Sequence, residues 1–284
     1  MPETFMYLVR TFCLPLLFSL TSLCLVACGS GDDSPADQSG TSSDSAGIPV
    51  GASWHWQLQG TLNSGYEVDV YDIDLLDTDA SVIADLQAQG RTVICYFSAG
   101  SWEEWRDDAG DFASAVLGNN LDGWAGERWL DVRAASLEPV MEARLDVAAD
   151  KGCDGVEPDN VDGYVNNSGF PLTAADQLAY NRFLAAAAHE RGLLIGLKND
   201  LDQITDLVGE FDFAVNEECF EYEECDALIP FIEAGKAVLH VEYADTLVND
   251  SAERAAFCAE MTAMSFSSMV LPLELDDSFR FACD

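Results

Sequence analysis

The chain has 284 residues and a formal net charge of −38. So negative a field repels nucleic acid and anionic membrane surfaces and concentrates cationic ligands; an acidic surface suited to a salty habitat is the other source of such a charge. Residues 1–27 carry only Glu3 and Arg10, which cancel, so the imbalance belongs to the rest of the chain.

At the N-terminus Arg10 precedes an apolar stretch from Phe12 to Val26, too short for a stable membrane-spanning helix. It closes on Leu25-Val26-Ala27-Cys28-Gly29, which resembles a bacterial lipobox. That resemblance implies residues 1–27 as a signal peptide and Cys28 as the lipidated residue. The expected product is an exported lipoprotein at the outer membrane or cell surface that meets membrane only through this anchor. An ordinary secretory peptide cleaved near Ala27 is the alternative. Residues 28–51 are rich in Ser, Gly and Asp and cannot bury enough apolar surface to offset the entropy of ordering, so they are expected to be a tether. Residues 52–284 show no further linker and no repeat, which suits a single monomeric domain.

Within that domain, short β-branched or aromatic runs alternate with amphipathic stretches. Strands are expected at 53–59, 67–74, 92–98, 155–159, 193–198, 213–217, 237–243 and 267–273. Helices are expected at 80–88, 137–151, 173–191, 202–208, 226–234 and 251–262. The third opens on Thr173 with Asp176 three positions on, close to a capping box, and Gly192 ends it. Eight strands with helices between most of them predict an α/β fold, a (β/α)8 barrel, whose functional residues sit at the carboxyl ends of the strands.

Those ends are acidic. Gly155-Val156-Glu157-Pro158-Asp159 places Glu157 and Asp159 on one side of a strand, roughly 6–7 Å apart along its axis. Phe213-Ala214-Val215-Asn216-Glu217-Glu218 is a second segment ending in acids. Two strand ends that present carboxylates suit glycosidic-bond cleavage, where one acid protonates the leaving oxygen and another attacks or activates water. Around them, Trp56, Gln57, Asp72, Asp74, Tyr96, Asp162, Lys198, Asn199, Glu242 and Tyr243 form an expected rim of amides, acids and aromatics able to bind sugar. Lysine is scarce: Lys151, Lys198 and Lys236 are all there are.

Six cysteines follow the export segment, an even number that favours disulfides over metal ligation, and no CxxC or clustered histidine argues for zinc. No cofactor or metal is expected. Cys219 with Cys225 and Cys258 with Cys283 are the expected pairs, leaving Cys95 and Cys153 as buried thiols.

Trp54-His55-Trp56-Gln57-Leu58-Gln59-Gly60, Val70-Tyr71-Asp72-Ile73-Asp74, Val93-Ile94-Cys95-Tyr96-Phe97-Ser98-Ala99-Gly100, Glu157-Pro158-Asp159-Asn160-Val161-Asp162, Gly196-Leu197-Lys198-Asn199 and Asn216-Glu217-Glu218-Cys219-Phe220 resemble, in order, the endo-α-1,4-polygalactosaminidases of glycoside hydrolase family 114. The resemblance runs from about Trp54 to the C-terminus. It implies a (β/α)8 enzyme that cuts galactosamine polymers internally, with catalytic acids corresponding to Asp159 and Glu217. Strand alternation admits only one of Glu217 and Glu218 into the cleft; the family pattern favours the first, and parity with Ala214 and Asn216 argues for the second. Lys198 either binds a sugar hydroxyl, holds Asp159 ionised or pairs with rim acids. The implied substrate is a cationic amino-sugar polysaccharide. A hydrolase of another α-linked or amino-sugar polymer and a catalytically silent carbohydrate-binding barrel are the rival readings.

Overall fold

The β-branched and aromatic runs become strands because each can bury both faces, one against the barrel axis and one beneath a helix. A computed structural model describes residues 47–283. The signal segment, Cys28 and nearly all of the tether lie outside the described residues.

In chain order the elements are β1 (Trp54–Gln57), β2 (Val70–Asp74), α1 (Ala80–Ala88), β3 (Thr92–Ser98), β4 (Ser101–Glu103), β5 (Leu117–Asn120), β6 (Glu127–Leu130), α2 (Glu138–Lys151), β7 (Gly155–Asp159), α3 (Ala174–Glu190), β8 (Leu194–Lys198), α4 (Ile204–Leu207), β9 (Phe213–Glu217), α5 (Ile229–Glu233), β10 (Val238–Glu242), α6 (Asp245–Asn249), α7 (Ser251–Ala263), β11 (Ser267–Val270) and β12 (Phe281–Ala282). Short 3-10 turns precede α4 and α5. All eight expected strands are present, each within the span that the sequence indicated. The capping box of α3 is formed, with Thr173 and Asp176 each accepting from the other's backbone.

The strands β1-β2-β3-β7-β8-β9-β10-β11 lie side by side in that order, every neighbouring pair parallel, and β12 adds antiparallel to β11. Side chains bring the first strand back to the last: the Trp54 indole donates to Ser267 O at 2.8 Å, and Arg280 Nη2 donates to Trp54 O at 2.7 Å. The architecture is a (β/α)8 TIM barrel in one domain.

Two cores follow from the alternation of strand side chains. Trp54, Trp56, Val70, Ile94, Phe213, Val215, Leu239, Val241 and Met269 fill the barrel. Gly196 is part of this fit, since a Cβ there would stand 2.4 Å from the Phe213 ring. Residues of the opposite parity, such as Tyr71, Val93, Phe97, Val156, Ile195 and Val238, pack under Leu86, Met141, Leu184 and Phe257 of the helices.

Three features differ from expectation. Residues 101–130 form a small antiparallel sheet, ordered β4-β6-β5, over the end of β3. Helix α6 lies between β10 and α7. Cys95 and Cys153 are a disulfide rather than two thiols, with Cα atoms 6.1 Å apart. The physical reason is register: Cys95 pairs with Val156 across β3 and β7 and faces the helices, where Cys153 lies just before β7. Cys219–Cys225 and Cys258–Cys283 are bonded as expected.

Candidate active site

The parity that fills the barrel also sends the last inward side chain of each strand to its carboxyl rim. Glu157 and Asp159 come from β7, Lys198 from β8 and Glu217 from β9. The Lys198 Nζ lies 2.9 Å from Glu157 Oε1, 3.2 Å from Asp159 Oδ1 and 3.3 Å from Glu217 Oε2. Its stem is buried, and the ammonium rests 4.6 Å over the Trp56 ring. Burial alone would favour losing the proton. Asp159, Glu157 and Glu217 outweigh it and hold the ammonium's pKa well above the ordinary lysine range. One cation thus joins three carboxylates from two strands.

Further donors orient the two outer acids. Asp159 accepts from Tyr96 Oη at 2.9 Å, from Asn160 N at 2.7 Å and from Asn160 Nδ2 at 3.3 Å. Glu217 accepts from the Tyr243 hydroxyl and from Asn199 Nδ2 at 3.4 Å. Burial, reinforced by the neighbouring carboxylates, pushes both tyrosines well above their usual range, so each stays a donor. Asn160 and Asn199 adopt φ of 61° and 50°, a left-handed conformation that asparagine tolerates better than most residues. In that conformation Asn199 Oδ1 also receives Glu217 N at 2.9 Å, which fixes the end of β9. The β3–β4 turn closes on the same point: a Cβ on Gly100 would stand 1.6 Å from Asn160 O, so only glycine fits there.

Glu217, not Glu218, faces this cluster. At Glu218 the chain turns to φ 62° and its N–H donates to Val241 O.

Beneath the rim, Glu157 and Asp72 are fully buried. Neither Asp72 oxygen, nor Glu157 Oε2, finds a nitrogen or hydroxyl donor among the described residues. Burial, then the Glu157 charge, pushes the Asp72 pKa well above the usual carboxylate range, which favours its protonated form. Burial and Asp159 also raise Glu157, against the pull of Lys198. These two acids form the floor of the site.

Several residues expected to bind sugar sit elsewhere. Trp56 faces the barrel axis but is buried below Lys198 and offers no sugar platform. Gln57 has the outward parity and ties down the β1–β2 loop through Gln59 O, Thr61 O and Asn63 N. Asp74 pairs with Arg106 at 2.6 Å and caps the turn after β2. Glu242 points away from the axis, where it accepts from Phe220 N and meets His240 at 2.9 Å. Asp162 stays near Asp159, half-buried, with its pKa pushed up to about 6 by burial and by that neighbour. Tyr96, Lys198, Asn199 and Tyr243 gather around the outer acids.

The small sheet adds groups that sequence reasoning missed. Glu127 on β6 reaches toward the Asp159 side of the rim through Ser101. The segment Glu127-Arg128-Trp129-Leu130 shows no polar–apolar alternation that would have marked it as a strand. Among the described residues, the one grouping of histidine, cysteine and acid side chains at ligand distance is Cys219, Cys225 and His240, and its sulfurs are already bonded to each other.

The description Glycoside-hydrolase family GH114 matches residues 35–284. Comparison with curated proteins finds no match. Among solved structures, Aspergillus fumigatus Ega3 in complex with galactosamine is similar at 43% identity over 83% of this chain and 96% of that one, with a TM-score of 0.79. The glycoside hydrolase domain of PelA from Pseudomonas aeruginosa shares the fold at 15% identity, 80% and 96% coverage and a TM-score of 0.63. The family match over the folded part, the Ega3 likeness and an acid-lined rim on a TIM barrel together make this chain a member of glycoside hydrolase family GH114, and a glycoside hydrolase.

Proposed function

We propose that the chain is an endo-acting hydrolase of α-1,4-linked galactosamine polymers, with Asp159 as nucleophile and Glu217 as the acid that protonates the departing sugar oxygen. The observation that carries this reading is the convergence of Asp159 and Glu217, from separate strands, on Lys198. Their nearest oxygens are separated by no more than the sum of two short contacts, 3.2 and 3.3 Å. That limit admits the roughly 5–5.5 Å of retaining enzymes and lies at the lower edge of the roughly 6.5–9.5 Å that inverting enzymes need for a water. That range supports retention of configuration as the reading.

Lys198, Tyr96 and the Asn160 amides hold Asp159 aimed, as a nucleophile requires. After the glycosyl–enzyme ester forms, Glu217 is the base that takes a proton from the incoming water, and the Asn199 carboxamide keeps it in place. The likeness to Ega3, whose structure holds galactosamine, supports an amino-sugar substrate, and a chain of net charge −38 concentrates a polycation.

The test is incubation of the purified domain with partly deacetylated galactosaminogalactan, with chitosan as control. Shortened oligosaccharides from the first and none from the second are expected. Cleavage of chitosan alone, or of neither, overturns the substrate assignment.

A further inference from the structure

A chain of hydrogen bonds runs from Asp159 to the small sheet. Asn160 Nδ2, which also reaches Asp159 Oδ2, donates to Ser98 Oγ at 3.0 Å. Ser101 N donates to the same Ser98 Oγ at 3.1 Å. With both lone pairs of that hydroxyl engaged, its own proton has one place to go, Ser101 Oγ at 2.7 Å. Ser101 in turn gives its proton to Glu127 Oε2 at 2.7 Å. The sense of donation is therefore fixed along the whole chain, and it ends on a carboxylate. Ser98 and Ser101 are completely buried and Glu127 nearly so.

We propose that Glu127 is a positioning residue for the reaction: its carboxylate terminates the Ser101–Ser98–Asn160 chain, so its charge state decides how firmly Asn160 holds Asp159. A proton on Glu127 Oε2 removes the last acceptor. Reversing the chain instead would bring a third donor to Ser98 and displace the Asn160 amide.

The charged and titratable groups around Glu127 are Glu103 on β4, Arg106 after it, Asp159 on β7 and Tyr96 on β3. Burial pushes the Glu127 pKa up to about 7; Glu103 and Asp159 add to the rise, and the Ser101 hydrogen bond and Arg106 oppose it. The switch thus lies near neutral pH. The small sheet, which looks like decoration on the barrel, supplies its acceptor.

This inference rests on Asp159 as nucleophile. The experiment separates the two by reading ratios between active enzymes, whereas failure of the nucleophile assignment would show as an active Asp159→Asn protein. Glu127→Gln, Ser101→Ala and the double variant are assayed from about pH 5.5 to 8.5 on a galactosamine oligosaccharide, with circular dichroism to confirm the fold. Glu127→Gln keeps a neutral acceptor. Hydrogen bonds to a charged acceptor are roughly twice as strong, so its deficit in kcat is expected to widen from about twofold at the acid end to about tenfold at the alkaline end, turning near pH 7. Ser101→Ala cuts the link, so its deficit against wild type is expected to widen with pH as that of Glu127→Gln does, and adding Glu127→Gln to it should change kcat less than twofold at every pH. A Glu127→Gln deficit that does not vary with pH, or additive effects in the double variant, overturns the proposal. If Glu127→Gln does not fold, a Ser101→Ala protein with the wild-type kcat overturns it alone.

Discussion

Replacing Lys198 by methionine removes one positive charge and little volume from the point where three carboxylates meet. The Nζ contacts of 2.9, 3.2 and 3.3 Å are made by a side chain only 2% exposed, so solvent cannot substitute for them. Breaking a buried pair by deleting one partner costs about 3–5 kcal/mol, because the other charges are left uncompensated. The cost depends on pH in a definite direction. Burial already raises the Glu157 pKa against the pull of Lys198, so without the ammonium it rises further above its unfolded value and the folded protein holds more protons than the unfolded one. Stability then falls as pH rises, by about 1.4 kcal/mol per unit for each such proton. The deficit should be full near pH 8 and reduced to about 1–2 kcal/mol near pH 5, where Glu157 takes up a proton. Thermal unfolding followed by circular dichroism at the two pH values reads this as a loss of about 10 °C at the alkaline value and much less at the acid one. An equal loss at both, or under about 1 kcal/mol at pH 8, would refute the claim that Lys198 compensates buried carboxylates.

Asp159→Asn and Glu217→Gln should each lower kcat by more than about a hundredfold with the fold intact, while Glu218→Gln stays within a few-fold. Any of the first two that remains within tenfold of wild type is not an essential group. Removing Cys95–Cys153, with a sequence separation of 58, should cost about 4 kcal/mol against about 2 for Cys219–Cys225 with its separation of 6. Denaturant unfolding of the paired alanine variants checks the order. Metabolic labelling with a fatty-acid analogue should depend on Cys28; label retained by Cys28→Ala would remove the proposed anchor.

How far the site was legible follows from what a strand's alternation reveals. The eight barrel strands announced themselves because each is a short β-branched or aromatic run, and Asp159 and Glu217 drew notice because they end such runs. Reading strand ends without their parity misplaced Gln57 and Glu242, which lie at ends but face the helices. Trp56 had the right face, yet sequence could not show that Lys198 would cover it. Cys95 sat in a strand whose outward side meets the chain before β7, a proximity set by barrel register rather than by spacing. The sheet carrying Glu127 was hidden for another reason: its strands are three or four residues long, and one contains Gly118, Asn119 and Asn120, too short and polar to show a period. Ser98, Ser101 and Asn160 matter only through one another, a relation that residue types alone do not display.

The most direct test of Asp159 and Glu217 as a nucleophile–acid pair is proton NMR of the first sugar released by the wild-type enzyme from an α-1,4-linked galactosamine polymer. The α-anomer should appear first and then mutarotate. The β-anomer appearing first would mean that water, not Asp159, attacks the sugar.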